Sequence, residues 1–285
     1  MIIKSLINRI LNRKVRPVYP KIVTLSPNEL LKGRTALITG GTSGIGYSMA
    51  EAFLNAGAKV IITGRSENKI RTACEQLNNK DKERNKGRVF GCVLNNTDVS
   101  SFEVTFQRML ELCQSPIDIL VNNAGLVGGE IATVDEEEYD RILDTNLKGM
   151  FFLSKLVATY MKEHHIEGNI LNVGSSSCLR PAASAYTLSK WGTRGLTMGL
   201  AKSLAPYGIT VNGIAPGPTA TPMLGKDPNS NLAFPNALGR FGLPEEIANM
   251  AVILVSGMGR SIMGDMVYMT GGSGLLTFDD VGYYF

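Results

Sequence analysis

Seven short apolar runs recur along the chain: TALIT (35–39), KVIIT (59–63), RVFGCV (88–93), DILV (118–121), NILNV (169–173), ITVNGI (209–214) and MVYMT (266–270). They are rich in Val, Ile and Leu with little polar alternation, the pattern of strands buried on both faces. Between them lie longer stretches of helical periodicity, among them YSMAEAFLNAG and EEYDRILDTNLKGMFFLSKLVATYMKE. The alternation predicts a single doubly wound α/β domain over residues 33–274, with a seven-stranded, mainly parallel sheet covered by helices on both faces. Ligands of such sheets bind beyond the carboxyl ends of the strands, where the winding direction reverses. The residues that follow the apolar runs therefore carry the functional information.

Composition supports a soluble globular protein: hydrophobic residues make up 44 % and charged residues 19 % of 285, and no apolar run approaches the ~18 residues of a membrane span. The net charge of +4 is unevenly placed. Residues 1–28 hold Lys4, Arg9, Arg13, Lys14, Arg16 and Lys21 and no acid, leaving the rest with 23 basic against 25 acidic residues. A mildly acidic body argues against nucleic acid as a partner. Cys74, Cys92, Cys113 and Cys178 are scattered, without metal-ligand spacing, so reduced thiols in a cytoplasmic protein and no metal site are expected.

Residues 1–32 read as a basic amphipathic extension and a linker marked by Pro17, Pro20 and Pro27. With Ile3, Ile7, Ile10 and Leu11 opposite the charges, residues 1–16 suit an arm that packs on the body or on a neighbouring subunit. A peripheral contact with anionic lipid is the less favoured reading, and an organellar presequence stays open. The tail, residues 275–285, ends in Phe278, Tyr283, Tyr284 and Phe285, which suits burial at a subunit contact.

After the first strand comes TGGTSGIG (39–46). Gly40 permits a tight turn, Gly44 lets backbone approach a pyrophosphate, and Gly46 lets helix and strand pack closely, while the helix N-terminus favours phosphate charge. Arg65 ends the second strand, where an NAD-binding protein presents an acid to the ribose 2′-hydroxyl; an arginine suits a 2′-phosphate. The reading favours NADP(H) and keeps NAD(H) as the alternative. Asp98, after the third strand, suits either an adenine contact or a cap on the next helix.

With NNAG at 122–125, Asn146, and Tyr186 and Lys190 spaced as YxxxK, the glycine loop strongly resembles the short-chain dehydrogenase/reductase family in its single-domain, Rossmann-type branch, and in particular its 3-oxoacyl-acyl-carrier-protein reductase-like members. The resemblance covers about residues 33–273, through NVGSSS and APGPTATPM. It implies an NAD(P)-dependent oxidoreductase that transfers hydride between nicotinamide and a ketone or secondary alcohol, with Tyr186 as general acid/base. It implies Lys190 as the cation that lowers the tyrosine pKa and binds the cofactor ribose, and Asn146 as the residue that interrupts its helix around a proton-relay water. It further implies a cofactor site of Gly40, Thr42, Ser43, Gly44, Ile45 and Gly46, then Asp98 with Val99, then Asn123, Ala124 and Gly125, and finally Pro216, Gly217, Thr219 and Thr221. The polar, proline-bearing segment 222–240 corresponds to the substrate lid, with Lys226 as its one lysine. A homodimer or homotetramer is implied, with Gly192, Gly195 and Gly199 letting a neighbouring helix approach.

The chemistry of the pair stands independently. A phenol with a pKa of ~10 needs a cation to serve as a base near neutrality, and four residues along a helix put Tyr186 and Lys190 on one face. The serine that steadies the substrate oxygen belongs at the end of the fifth strand, which selects Ser175. The family's usual spacing of thirteen falls on Val173, so the connecting loop is two residues short and Ser176 and Ser177 remain alternatives. Ser184, Thr187 and Ser189 read as helix-start or surface residues. The rival function is a catalytically silent dinucleotide-binding scaffold; retention of Asn146, Tyr186 and Lys190 together argues against it.

Overall fold

The computed structural model describes residues 28–226 and 230–274. The N-terminal arm and the aromatic tail lie outside the described residues. All seven expected strands are present: β1 (Thr35–Ile38), β2 (Lys59–Gly64), β3 (Val89–Val93), β4 (Ile119–Asn122), β5 (Asn169–Val173), β6 (Thr210–Pro216) and β7 (Met266–Met269). They form one sheet in the order β3-β2-β1-β4-β5-β6-β7, and every pairing is parallel.

The sheet sorts its side chains by the two-residue period of a strand. Ala36 and Ile38, Val60 and Ile62, and Ile119 and Val121 point to one face, where they meet α1 (Gly44–Asn55), α2 (Glu67–Lys80) and the penultimate-strand crossover helix Pro244–Val255 through Phe53, Leu77 and Val252. Leu37, Ile61 and Leu120 point to the other face, onto α3 (Phe102–Cys113) and two later helices through Phe106, Val157 and Ala201. The packing begins before residue 33: Leu31 is fully buried in the first cluster, and its N–H donates to the Ala56 carbonyl at 2.8 Å.

The long stretch of helical periodicity is not uniform. It runs as α4 (Glu136–Leu143), a π-helical turn over Asp144–Lys148, and α5 (Gly149–Glu163). α6 (Ala185–Leu204) carries Tyr186 and Lys190, and α7 (Pro244–Val255) completes the helices that matter here. The Ser184 hydroxyl caps α6, accepting from the Thr187 N–H at 3.1 Å.

The segment expected as a polar lid has a core of its own. Leu232 is fully buried with Ala220, Phe241 and Leu243, and the Phe234 and Phe241 rings meet edge to face at 4.6 Å. Arg240 makes a two-pronged ion pair with Glu246, at 2.6 and 3.0 Å, which ties this segment to α7. The winding reverses between β1 and β4, and the loops after their carboxyl ends open a cleft there.

Candidate active site

One cavity of about 660 Å³ runs along the carboxyl ends of the strands. The glycine loop forms its floor. Gly40 and Gly44 have φ of +64° and +55°, conformations that side chains disfavour. A Cβ on Gly46 would stand 2.4 Å from Asn123 Nδ2, so Gly46 serves the close packing of α1 rather than the cavity lining. Asn123 locks the β1 and β4 loops together: its Nδ2 donates to the carbonyls of Thr39 (2.9 Å) and Gly40 (3.1 Å), while Thr39 Oγ1 accepts from the N–H groups of Asn123 and Ala124. Such a glycine cradle, opening onto a helix N-terminus, fits a dinucleotide pyrophosphate. Gly217 is needed on the far wall, where a Cβ would stand 2.6 Å from the Thr270 carbonyl oxygen.

The lining brings together most of the residues expected from the sequence: Gly40, Thr42, Ser43, Gly44, Ile45, Arg65, Asn123, Ala124, Gly125, Ser175, Tyr186, Lys190, Pro216, Gly217, Thr219 and Thr221. Asp98 and Val99 do not line it. Asp98 is exposed and begins a short 3-10 turn, where the Ser100 hydroxyl bonds its Oδ1 at 2.5 Å and holds the carboxyl below its usual range. The cavity is lined instead by Leu94, Asn95 and Asn96, which directly follow β3. The strand-end rule that located the other residues pointed to them as well. Ser66 and Lys69, also missed, stand with exposed Arg65 just beyond β2.

Ser175, two residues beyond β5, lines the cavity, whereas Ser176 and Ser177 do not. Its Oγ accepts from the Ser177 N–H at 3.1 Å, which turns the chain and aims the hydroxyl beside the Tyr186 phenol. Burial holds the Tyr186 phenol above its ordinary pKa, with the neighbouring Ser175 hydroxyl acting in the opposite direction. Lys190 is buried too, and burial pushes its pKa down to about 8. Its Nζ donates to the Val173 carbonyl at 2.9 Å and lies 5.6 Å from the Tyr186 ring centre. Burial is the largest cause on both groups and favours the neutral form of each.

Asn146 does not line the cavity; it fixes a residue that does. Its Oδ1 accepts from the Leu126 N–H at 2.7 Å and its Nδ2 donates to the Leu126 carbonyl at 2.8 Å. This two-way clasp draws the helix toward the β4 loop and accounts for the π turn at that point. Ser189, expected as a helix-start or surface residue, is fully buried near the start of α6: its Oγ accepts from Asn146 Nδ2 at 3.0 Å and donates to the Tyr186 carbonyl at 2.6 Å.

A family model described as short chain dehydrogenase matches residues 34–231, more than half the chain. The chain belongs to the short-chain dehydrogenase family. The 3-oxoacyl-[acyl-carrier-protein] reductase FabG of Vibrio harveyi is 35 % identical over 248 residues, which cover 85 % of this chain and 98 % of that protein. Among solved structures, the 3-ketoacyl-(acyl-carrier-protein) reductase of Brucella melitensis complexed with NADH superposes with a TM-score of 0.76 at 28 % identity, covering 86 % of this chain and all of that one. An actinorhodin polyketide ketoreductase with NADPH gives 0.76 at 30 % identity, covering 86 % and 98 %. This short-chain dehydrogenase is thus an NAD(P)-dependent oxidoreductase acting on CH–OH or C=O groups. Among the described residues, no helix is long and apolar enough to cross a membrane.

Proposed function

We propose that this short-chain dehydrogenase couples NADP(H) to the interconversion of a ketone and a secondary alcohol, with Tyr186 as the general acid/base. The observation that carries the reading is the convergence of Ser175, Tyr186 and Lys190 at one end of the cavity whose other end is the glycine cradle.

When bound, the nicotinamide supplies the hydride. The Ser175 and Tyr186 hydroxyls meet the substrate oxygen, and Tyr186, held protonated by burial, gives it a proton as negative charge develops there. In the oxidative direction the same phenol takes the proton back, and the Lys190 ammonium supports the phenolate. Arg65, Ser66 and Lys69 supply two cations and a hydroxyl where a ribose 2′-phosphate would lie, which favours NADP(H) over NAD(H). Gly40, Thr42, Ser43, Gly44, Ile45, Asn95, Asn123, Gly125, Pro216, Gly217, Thr219 and Thr221 would hold the remainder of the dinucleotide.

A homodimer or homotetramer is part of the proposal. Cβ atoms on Gly195 and Gly199 would meet open space on α6, near exposed Trp191 and Met198, while Gly192 is already filled by Leu147 of the same chain. The test is a screen of ketones and secondary alcohols with NADPH and NADPH's unphosphorylated counterpart, each reaction followed by nicotinamide absorbance. Turnover faster with the phosphorylated cofactor supports the proposal. Equal binding of both cofactors with no turnover of any carbonyl contradicts it.

A further inference from the structure

The cavity that holds Ser175 and Tyr186 is lined in part by large hydrocarbon side chains. Leu126 and Val127 follow the β4 loop on one side, and Met223 and Leu224 stand on the short turn Pro222–Leu224. Val127 is 43 % exposed, Met223 55 % and Leu224 45 %. These large apolar side chains are thus left open to whatever enters the cavity.

Charge is placed elsewhere. Arg65 and Lys69 stand beyond β2, at the adenosine end, and the Lys190 ammonium is turned to the Val173 carbonyl. Lys226 does not line the cavity; its Nζ sits over the Phe241 ring, 5.4 Å from the centre. Arg180 reaches Tyr186 through its charge but is not part of the lining. Among the described residues, no Asp or Glu lines the cavity.

Among the described lining residues, the polar side chains left for a substrate at this end are the Ser175 and Tyr186 hydroxyls and Thr145. A polyol entering here would lose water from several hydroxyls with few replacement partners, and among the described lining residues the one cation near a carboxylate beside the carbonyl would be Lys190, already turned to the Val173 carbonyl. A hydrocarbon body meets walls of its own kind. We propose that the substrate is a neutral ketone or secondary alcohol whose carbon skeleton around the reacting carbon is apolar. This rests on the oxidoreductase reading above, since the walls matter only if the reacting oxygen sits between Ser175 and Tyr186.

The test uses the full chain with NADPH and a series of straight-chain methyl ketones of increasing length, with the matching 2-oxo acids and polyhydroxylated ketones alongside. Binding of the matching straight-chain amides, which are not reduced, is measured by calorimetry on the cofactor-saturated protein. The expected result is a rise in kcat/KM of about fourfold per added CH2 over the first few carbons, the same slope in amide affinity, and rates about tenfold or more lower for the charged and polyhydroxylated carbonyls. The combined Met223→Ser and Leu224→Ser substitutions flatten both slopes. Turnover without a length dependence, or with preference for the acid or the polyol, overturns this inference and leaves the oxidoreductase reading in place. Length-dependent amide binding with no turnover of any carbonyl supports the apolar site and overturns the oxidoreductase reading. Neither turnover nor amide binding overturns both.

Discussion

Asn146 Nδ2 donates to the Ser189 hydroxyl at 3.0 Å, joining the π turn after α4 to the helix that carries Tyr186 and Lys190. Both residues are fully buried. Because Ser189 also donates to the Tyr186 carbonyl, one hydroxyl fixes the spacing between the clasp on Leu126 and the first turn of α6. Ser189→Ala leaves one Asn146 N–H without a partner in a dry site, at a cost of about 1–3 kcal/mol. The melting temperature is expected to fall by several degrees, and kcat to fall more than KM rises, as measured by thermal denaturation beside steady-state kinetics. A variant that melts and turns over like the parent contradicts this role.

The cations beyond β2 give a cofactor prediction. Arg65→Asp removes one charge-assisted partner and sets an acid where a 2′-phosphate would lie, so KM for NADPH is expected to rise about 10- to 100-fold while NADH use holds or improves. Lys69→Ala is expected to weaken NADPH alone, by a smaller factor. Both are read from cofactor titrations at fixed carbonyl. Loss of NADH and NADPH binding in equal measure would remove the phosphate-specific role of Arg65.

Gly46 is constrained by sterics rather than by chemistry. A methyl group there would stand 2.4 Å from Asn123 Nδ2 and 2.5 Å from the Gly40 carbonyl oxygen, both parts of the junction between β1 and β4. Gly46→Ala is expected to destabilise the fold by about 1–3 kcal/mol and to weaken dinucleotide binding through the displaced glycine loop. Denaturant unfolding and cofactor binding measured on the same preparation check both halves.

The pH dependence follows from burial. Tyr186 is held above the ordinary phenol range, so it stays protonated through neutrality. Ketone reduction, which needs that proton, is expected to be level through neutral pH and to decline only in the alkaline range; alcohol oxidation, which needs the phenol to accept a proton, is expected to rise with pH over that range. The pair of kcat/KM profiles measures it. A reduction rate that falls steeply through neutrality places the working pKa too low for a buried phenol.

Much of this was legible in the sequence because buried parallel strands are uninterrupted apolar runs, and because the residues that matter follow those runs. NILNV marks β5 to the residue, and Ser175 follows two residues later. Other features depend on tertiary placement. The sequence offered Asp98 for an adenine contact or a cap, yet the residues after β3 that line the cavity are Leu94, Asn95 and Asn96. The π turn has no periodicity signal of its own; it exists because the Leu126 backbone waits beside Asn146. Ser189 looked like a surface hydroxyl because nothing in YTLSK reports that the neighbouring turn buries it. Spacing brought Tyr186 and Lys190 together, and the depth of the site, which spacing does not report, makes burial the largest cause on both.

The most direct measurement is NADPH-linked turnover by Tyr186→Phe, with NADPH binding measured on the same protein. The substitution keeps the ring and removes the proton that Tyr186 gives to the substrate oxygen. The account predicts a fall in kcat of about 10²- to 10⁴-fold with cofactor affinity nearly unchanged. Turnover equal to that of the parent would contradict it.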